Sequence, residues 1–233
     1  PAQWREEFRV RRYGFHGTSI CYVTGRSAVL LGRPVADTNL VVLHLGNGCS
    51  AAAIRDGHSV DTSMGLTPLE GLVMGTRSGD VDPALGAYLG RVAGLSLAEV
   101  DTALNKASGL LGLAGVQDFR EVLERRASGD AAAGLAFDVV VHRLVKYVGA
   151  YAVELGRVDG LVFTGGIGEH AAPLRAAVLD RLGLLGVVLD PAANDSGSGE
   201  RVVTDAESAI PAYVIPTDEE LEIARQAAEV VRA

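Results

Sequence analysis

Residues 40–62, LVVLHLGNGCSAAAIRDGHSVDT, contain three short runs that are separated by glycine turns. Each run has the length of a strand, and Asp56-Gly57 is a strong signal for a two-residue hairpin turn. Gly46-Asn47-Gly48 forms the other turn. The stretch therefore predicts an antiparallel meander with strands over 40–45, 50–55 and 58–61.

The rest of the chain alternates between helix-compatible and strand-compatible segments. A long helix is predicted over 131–156, and the apolar strand 160–163 follows it and ends in a glycine turn at 165–168, where a further helix opens. A last strand over 212–215 leads into a helix from Thr217. Shorter segments complete the prediction, with helices over 18–32, 83–92, 97–107 and 119–128 and an irregular loop over 63–82. Hairpins followed by strand–helix alternation predict an α/β fold with a mixed sheet flanked by helices.

Capping signals mark two of the shorter helices. Thr18 or Ser19 is available as the N-cap of the first helix, and Ser96 with Glu99 predicts a capping box ahead of the third.

The composition predicts a folded, soluble chain that builds its own core. Hydrophobic residues make up 48% of the 233 and charged residues 21%, so we expect one large domain or two small ones. The net charge is −8 and the basic residues form no long stripe, so we expect no nucleic-acid partner. The longest uncharged run lies between Asp37 and Arg55 and is interrupted by polar residues, so no segment approaches the roughly 18 apolar residues of a membrane span. With two cysteines and no apolar signal segment, we expect a cytoplasmic protein with no membrane partner.

Gly165-Gly166-Ile167-Gly168 is the first candidate site, because it lies between a predicted strand and a predicted helix. Backbone N–H groups and the helix dipole make such a turn suitable for phosphate, although a plain tight turn has the same sequence. A third interpretation is dinucleotide binding, since Gly166, Gly168 and Ala171 fit GxGxxA and Asp190 lies near the spacing of a ribose-binding acid. Against it, that fingerprint belongs to the first strand–helix unit of a parallel sheet, whereas a meander precedes it here.

Three other segments could bind an anion. The glycines beside Asn47 let a phosphate approach the backbone while the Asn amide donates a hydrogen bond, although a simple hairpin turn is the alternative. Arg77, in MGTRSGD, is a single positive charge among small residues, which suits either an anion clamp or a solvated loop arginine. His16, in YGFHGTS, could donate to a phosphoryl oxygen or be a structural histidine.

Two short motifs suit a nucleotide and its metal ion but also suit a helix start. Asp118-Phe119-Arg120 offers an aromatic face and a guanidinium to a purine nucleotide. Thr217-Asp218-Glu219-Glu220 predicts a capping box between Thr217 and Glu220, and a carboxylate there could instead hold Mg²⁺ through water. The other histidines lack the spacing of a metal cluster, so we predict no zinc site and interpret them as structural: His44, His58, His142 and His170.

Taken together, six motifs in this order resemble the acetate kinase family, and the resemblance covers nearly the whole chain. They are YGFHGTS at 13–19, HLGNG at 44–48, MGTRSGD at 74–80, DFR at 118–120, FTGGIGE at 163–169 and TDEE at 217–220. The family belongs to the acetate and sugar kinase, Hsp70 and actin superfamily, whose two ribonuclease-H-like domains close on a nucleotide. The resemblance implies that this chain is the C-terminal ribonuclease-H-like domain.

The resemblance also implies a reaction, the reversible transfer of a phosphoryl group from ATP to acetate to give acetyl phosphate and ADP. His16 and Arg77 would be the catalytic residues that stabilise the transferring group, and Glu219 would help position Mg²⁺. The ATP phosphates would lie against His44, Gly46, Asn47, Gly48, Gly165, Gly166, Ile167 and Gly168. The adenosine pocket would be lined by Asp118, Phe119 and Arg120. The family further implies a homodimer that pairs through this domain.

Three positions depart from the family pattern. Ile20 stands where a second His is usual, and Asp218 and His170 each stand where Asn is usual. We expect the Ile20 departure to remove a polar group near the site. The other two are milder changes.

The resemblance implies three parts: 1–36 as an interdomain segment and first helix, 37–217 as the nucleotide-binding domain, and 218–233 as a helix that packs on an N-terminal domain. That domain, which carries the acetate pocket, is not in this sequence, and the chain begins with Pro1 rather than Met. We therefore expect a fragment that binds nucleotide and hardly catalyses. The alternatives are a catalytically inactive nucleotide-binding module and a propionate or butyrate kinase.

Overall fold

Six strands form one mixed sheet within residues 1–232, the part of the chain that the computed structural model describes. They are β1 (Leu40–Leu45), β2 (Cys49–Arg55), β3 (His58–Thr62), β4 (Gly160–Thr164), β5 (Arg201–Val202) and β6 (Ala212–Val214). Their order across the sheet is β3-β2-β1-β4-β6-β5. The central strands β1, β4 and β6 are parallel, whereas β2 with β3 and β5 with β6 are antiparallel pairs. This mixed sheet confirms the predicted α/β fold class.

The helices precede, separate and follow the strands along the chain. In order they are α1 (Ala2–Phe8), α2 (Gly17–Leu31), α3 (Leu85–Ala93), α4 (Leu97–Lys106), α5 (Gly109–Ala114), α6 (Phe119–Ala127), α7 (Ala131–Leu155), α8 (Gly165–His170), α9 (Ala172–Leu179), α10 (Pro191–Asp195) and α11 (Glu219–Arg232). Short 3₁₀ helices cover Val35–Asp37 and Asp180–Leu185.

Contacts within the chain divide it into two units, each of which is described by itself. The sheet unit comprises residues 16–46, 50–62 and 144 onward. The helical unit comprises residues 1–15, 47–49 and 63–143, and it includes α1, α3 to α6 and the first half of α7.

A hydrophobic cluster packs α2 against one face of the sheet. The cluster includes Leu40 and Val42, which lie two residues apart on β1, and Val162, which lies opposite Val42 on β4. Their side chains therefore share this face. Ile20 and Val23 reach the cluster from α2. Each aliphatic side chain that is fully buried in this way stabilises the fold by about 1.5–3 kcal/mol relative to an exposed one.

The predicted meander is confirmed, with strand boundaries that differ by at most one residue from those expected. Asp56 and Gly57 have φ values of 52° and 76°, so both lie in the left-handed region that a type I′ hairpin turn requires. β2 and β3 pair antiparallel across this turn.

Two of the predicted helix caps are wrong. α2 begins one residue earlier than expected, after His16, and neither Thr18 nor Ser19 caps it. α11 begins at Glu219, where Leu221 N donates to Asp218 Oδ1 over 2.9 Å. The predicted capping box of Thr217 is therefore absent, because the Thr217 hydroxyl donates to Ser19 Oγ in the sheet unit instead.

The helical unit confirms the predicted irregular segment between β3 and α3. Arg143, on α7, holds this segment by donating to the Gly71 carbonyl over 2.8 Å and by pairing with the Asp80 carboxylate over 3.0 Å. The capping box of Ser96 and Glu99 at the start of α4 is also confirmed. The six-residue helix α5 was not predicted, because a short segment with two glycines carries little helical signal.

Within residues 1–232, none of the helices is both long enough and apolar enough to cross a membrane.

Candidate functional site

His16 has an unusual backbone conformation. It immediately precedes α2 with φ 58° and ψ 22°, in the left-handed region that residues other than glycine seldom adopt. Backbone strain of this kind costs about 1–3 kcal/mol and clusters at functional sites. The strained position supports His16 as a functional residue.

His16 and His44 form a pair within the sheet unit. Their rings stack with centroids 4.0 Å apart and planes 16° from parallel. Nδ1 of His16 lies 2.9 Å from Ser50 Oγ, and Nδ1 of His44 lies 2.8 Å from Ser19 Oγ. The two hydroxyls therefore hold both rings in defined orientations.

His44 is uncharged at neutral pH. Its burial, and secondarily the positive charge of the neighbouring His16, lower the pKa of His44 to about 4. A neutral imidazole has one N–H donor and one nitrogen acceptor, so the partner of each ring nitrogen matters.

The glycine turn packs directly against the end of β1. Gly165 has φ +77°, and a Cβ at this position would lie 2.8 Å from the Leu45 carbonyl oxygen. Because β1 and β4 are parallel, with His44 opposite Thr164, the loops after both strands leave the same edge of the sheet. The structure thus brings His16, His44, Gly46 and the turn 165–168 to this edge of the sheet unit.

The residue before the turn has an unsatisfied polar atom. Oγ1 of Thr164 is buried and has no hydrogen-bond partner among residues 1–232. Buried hydroxyls are normally hydrogen-bonded, so this atom is available to a ligand oxygen or to water. Its position at the start of α8 agrees with the prediction that the turn binds an anion.

A buried arginine hydrogen-bonds to the backbone at the end of the same turn. Arg175, on α9, is 1% exposed and donates from Nη1 to the carbonyl oxygens of Gly168 and Glu169, each over 2.9 Å. Its other nitrogens donate to the side chain and backbone of Asn194. Burial lowers the pKa of Arg175 to about 10, which leaves it charged at neutral pH. No sequence motif indicated Arg175, although a lone arginine within the apolar run 174–179 is a signal for a functional or structural role.

In the helical unit, Asn47 lies near the segment before Asp118. Gly75 N donates to the Asn47 carbonyl over 3.3 Å, and a Cβ on Gly75 would overlap Asn47 Oδ1 and lie 3.2 Å from the Gln117 carbonyl oxygen. A larger residue at Gly75 would have to displace the Asn47 side chain. The structure therefore brings Asn47 close to Gln117, the residue before the DFR motif.

The DFR motif begins helix α6, as one of its two interpretations expected. Oδ1 of Asp118 accepts from Arg120 N over 2.9 Å, and the two side chains form an ion pair of 2.6 Å at the surface. This pairing lowers the pKa of Asp118 to about 2. Phe119 is 4% exposed and stacks on Phe137, so its ring offers no free aromatic face. Asp118 and Arg120 remain accessible to a nucleotide.

Arg77 also lies in the helical unit, where its Nη1 donates to the Pro68 carbonyl over 2.6 Å. This contact orients the guanidinium and uses one of its five N–H groups. Its role as an anion clamp stays a prediction.

Glu219 is the exposed first residue of α11. Among residues 1–232 there is no group of three or more His, Cys, Asp or Glu side chains that could hold a metal ion by themselves. Mg²⁺ usually keeps several waters and binds through one or two carboxylates together with substrate phosphates. An exposed carboxylate such as that of Glu219 fits that mode and does not fit a fully protein-bound metal.

Comparison with known proteins gives the family. The model of the acetokinase family matches residues 1–225. The chain belongs to this family. It is 59% identical to the acetate kinase of Streptomyces avermitilis over 222 residues and 57% identical to that of Leifsonia xyli over 229 residues.

Solved structures of the acetokinase family share the fold. The chain is similar to Porphyromonas gingivalis acetate kinase, with a TM-score of 0.95 and 43% identity over 99% of this chain. It is also similar to a propionate kinase from Francisella tularensis, with a TM-score of 0.92 and 45% identity over 97% of this chain. The match confirms the predicted resemblance and places the fold with the acetate and sugar kinases, Hsp70 and actin.

The chain is shorter than the family members it matches. It spans 55% of the Streptomyces avermitilis protein and 58% of the Porphyromonas gingivalis chain.

The structure also clarifies the three departures from the family pattern. Ile20 lies on α2 with its side chain in the hydrophobic cluster between α2 and the sheet, and the expectation that it removes a polar group near the site stays a prediction. Asp218 caps α11, and His170 is exposed at the end of α8. Asp190, considered above for ribose binding, accepts from Ala193 N and caps α10.

Proposed function

We propose that this chain contributes to a kinase that transfers a phosphoryl group reversibly between ATP and acetate, forming acetyl phosphate and ADP. The observation that carries the proposal is its 59% identity to an acetate kinase over 222 residues. Those residues are 55% of that protein. We therefore propose that this chain supplies part of the kinase's active site.

The reaction requires hydrogen-bond donors and positive charge at the transferring phosphoryl group more than it requires a general base. The carboxylate of acetate is already a nucleophile at neutral pH, so catalysis consists of positioning and charge neutralisation. We assign His16 to donate to an oxygen of the transferring phosphoryl group and Arg77 to neutralise its charge. The strained backbone of His16 and its stacking on His44 support a fixed orientation for the first role.

The groups proposed to bind the nucleotide form two sets, one within each unit. In the sheet unit, the backbone N–H groups of the turn 165–168 and of Gly46 would hold phosphate oxygens. In the helical unit, Asn47 and Gly48 would hold phosphates, and Asp118 and Arg120 would contact the adenosine. Phe119 would support Asp118 and Arg120 from the core side and would not stack on the adenine, because its ring is buried.

Glu219 would hold Mg²⁺ through water. The ion would supply positive charge that neutralises the phosphates of the nucleotide. The exposure of the Glu219 carboxylate supports this hydrated mode of binding.

Three further assignments are part of the proposal. Residues 37–217 form the nucleotide-binding domain, the protein works in the cytoplasm, and it acts as a homodimer. Their support is the membership of the acetokinase family.

The experiment that tests the proposal is calorimetric titration of the chain with Mg·ADP. We expect binding, and we expect Asn47→Asp to weaken it by tenfold or more, because a carboxylate repels phosphate. Asn105→Asp, the same change on α4 and outside the proposed site, is the matched control and should bind as the unaltered chain does. No binding of Mg·ADP, or equal loss in both variants, would refute the proposed nucleotide site.

A parallel assay measures acetyl phosphate formation by the chain and by the complete gene product. Turnover by the complete gene product supports an acetate kinase. Nucleotide binding without turnover by either would favour the inactive nucleotide-binding module instead.

Propionate is the second candidate acceptor. The 45% identity to a propionate kinase is as high as the 43% identity to the Porphyromonas gingivalis acetate kinase. Comparing kcat/KM for acetate, propionate and butyrate with the complete gene product decides between them.

A further inference from the structure

We propose that Ser19 and Thr217 are positioning residues that keep the proton of the His44 ring on Nε2. The inference deepens the proposed function, on which it rests, because it concerns the histidine that stacks on His16. It is carried by a chain of hydrogen bonds within the sheet unit.

The chain of hydrogen bonds joins residues that are far apart in the sequence. Thr217 Oγ1 donates to Ser19 Oγ over 2.8 Å, although the two residues are 198 positions apart. Ser19 Oγ in turn lies 2.8 Å from Nδ1 of His44. Ser19 is completely buried, so water does not compete for its hydroxyl.

The direction of these bonds follows from counting protons. A serine hydroxyl has one proton to donate and can accept as well. Ser19 already accepts from Thr217, and among residues 1–232 its own proton has no acceptor other than Nδ1 of His44, so that proton is directed at Nδ1, which is then the accepting nitrogen. A neutral imidazole that accepts at Nδ1 carries its proton on Nε2.

The location of Ser19 indicates that this bond is its main contribution. It lies in the first turn of α2, inside the helix and not at the N-cap position, and it makes no capping bond. A buried hydroxyl without a partner is destabilising, so the contact with His44 and Thr217 compensates for its burial.

Thr217 connects this arrangement to the start of α11. It lies two residues before Glu219, and its side chain points to Ser19 and makes no cap for the helix. The orientation of the His44 ring is therefore coupled to the segment that carries the proposed Mg²⁺ ligand. With Nδ1 occupied, Nε2–H is the donor that the ring offers to an anionic oxygen.

The test is a long-range ¹H–¹⁵N correlation spectrum of the ¹⁵N-labelled chain, in which the two ring nitrogens of a neutral histidine have distinct shifts. His44→Gln assigns the signals. We expect a protonated Nε2 and an accepting Nδ1 in the unaltered chain. A spectrum with the proton on Nδ1 refutes the inference without any further variant.

Variants then test which hydroxyls are responsible. Ser19→Ala and Thr217→Val should each move the His44 shifts toward a mixture of the two tautomers, whereas Ser19→Thr and Thr217→Ser should keep them. Unchanged shifts in Ser19→Ala would overturn the inference. A merely structural role would lower the stability of the variants without moving the tautomer.

Activity provides a separate measurement. In the complete gene product, Ser19→Ala should lower kcat roughly tenfold or more while the KM for nucleotide stays the same, as a wrong tautomer does at other histidine sites. The spectrum needs no nucleotide, so the two proposals fail independently. The expected tautomer without Mg·ADP binding would refute the proposed function alone, and Mg·ADP binding with the opposite tautomer would refute this inference alone.

Discussion

Lowering the pH should destabilise the sheet unit through His44. The folded chain holds the pKa of this ring at about 4, whereas the ordinary value of 6.5 applies once the chain unfolds. Between these two values the unfolded chain binds a proton at His44 that the folded chain does not. The free energy of unfolding therefore rises with pH through this window and falls as the pH drops from 6.5 toward 4.

The size of the effect follows from the two pKa values. At about 1.36 kcal/mol for each pH unit, the gap between 6.5 and about 4 corresponds to a loss of about 3 kcal/mol. This is a large part of the 5–15 kcal/mol by which a typical domain is stable.

The assay is urea unfolding followed by far-UV circular dichroism at several pH values between 4.5 and 7.5. Other groups also titrate in this range, so the quantity of interest is the difference between the unaltered chain and His44→Gln, which cannot gain the proton. We expect the two curves to converge as the pH falls. His58→Gln, the same change at an exposed histidine on β3, is the control.

Parallel stability curves for the unaltered chain and His44→Gln would refute the reasoning. They would mean that His44 takes up its proton equally well in the folded and unfolded chains. The same result in His58→Gln as in His44→Gln would show that the effect does not depend on burial.

Three substitutions test other contacts by urea unfolding. Gly165→Ala should lower the free energy of unfolding by about 2 kcal/mol, because φ is +77° and the new Cβ meets the Leu45 carbonyl. Gly166→Ala should lower it little, because a Cβ there has no atom within 4 Å. Equal losses would contradict this account. Arg175→Met should lower the free energy of unfolding by about 3 kcal/mol or more, because it leaves buried acceptors unpaired. It should also weaken Mg·ADP binding. A variant as stable as the unaltered chain would be inconsistent with that network. Asp159→Asn should lower the free energy of unfolding by about 1–3 kcal/mol, since the buried Asp159 carboxylate accepts from Asn39 N and pairs with two arginines. An unchanged free energy of unfolding would show that these bonds do not stabilise the fold.

The sequence predicted the elements whose signals are local. The Asp56-Gly57 turn and the short strand-length runs beside it were sufficient for the meander, because turn chemistry and run length involve neighbouring residues. The glycine turn at 165–168 was likewise found between a strand and a helix. The two wrong caps were less predictable, because Ser19 and Thr217 each had a partner that was distant in the sequence.

The site shows the same division between near and distant interactions. Motif order indicated His16, Asn47, Arg77 and the DFR motif as candidates. It did not indicate that Phe119 packs inward on Phe137 or that Arg175 supports the glycine turn. Both depend on how α6, α7 and α9 pack, which no local pattern encodes.

The amino-acid sequence by itself therefore determined the family, the strand and helix types and the motifs that carry the chemistry, since each depends on residues that are close together in the chain. The tertiary structure decided the charge state of His44, the partners of Ser19 and Thr217, and the placement of Ile20 in the core. These properties arise from burial and from hydrogen bonds between distant residues. They exist only when the sheet and its helices have packed together.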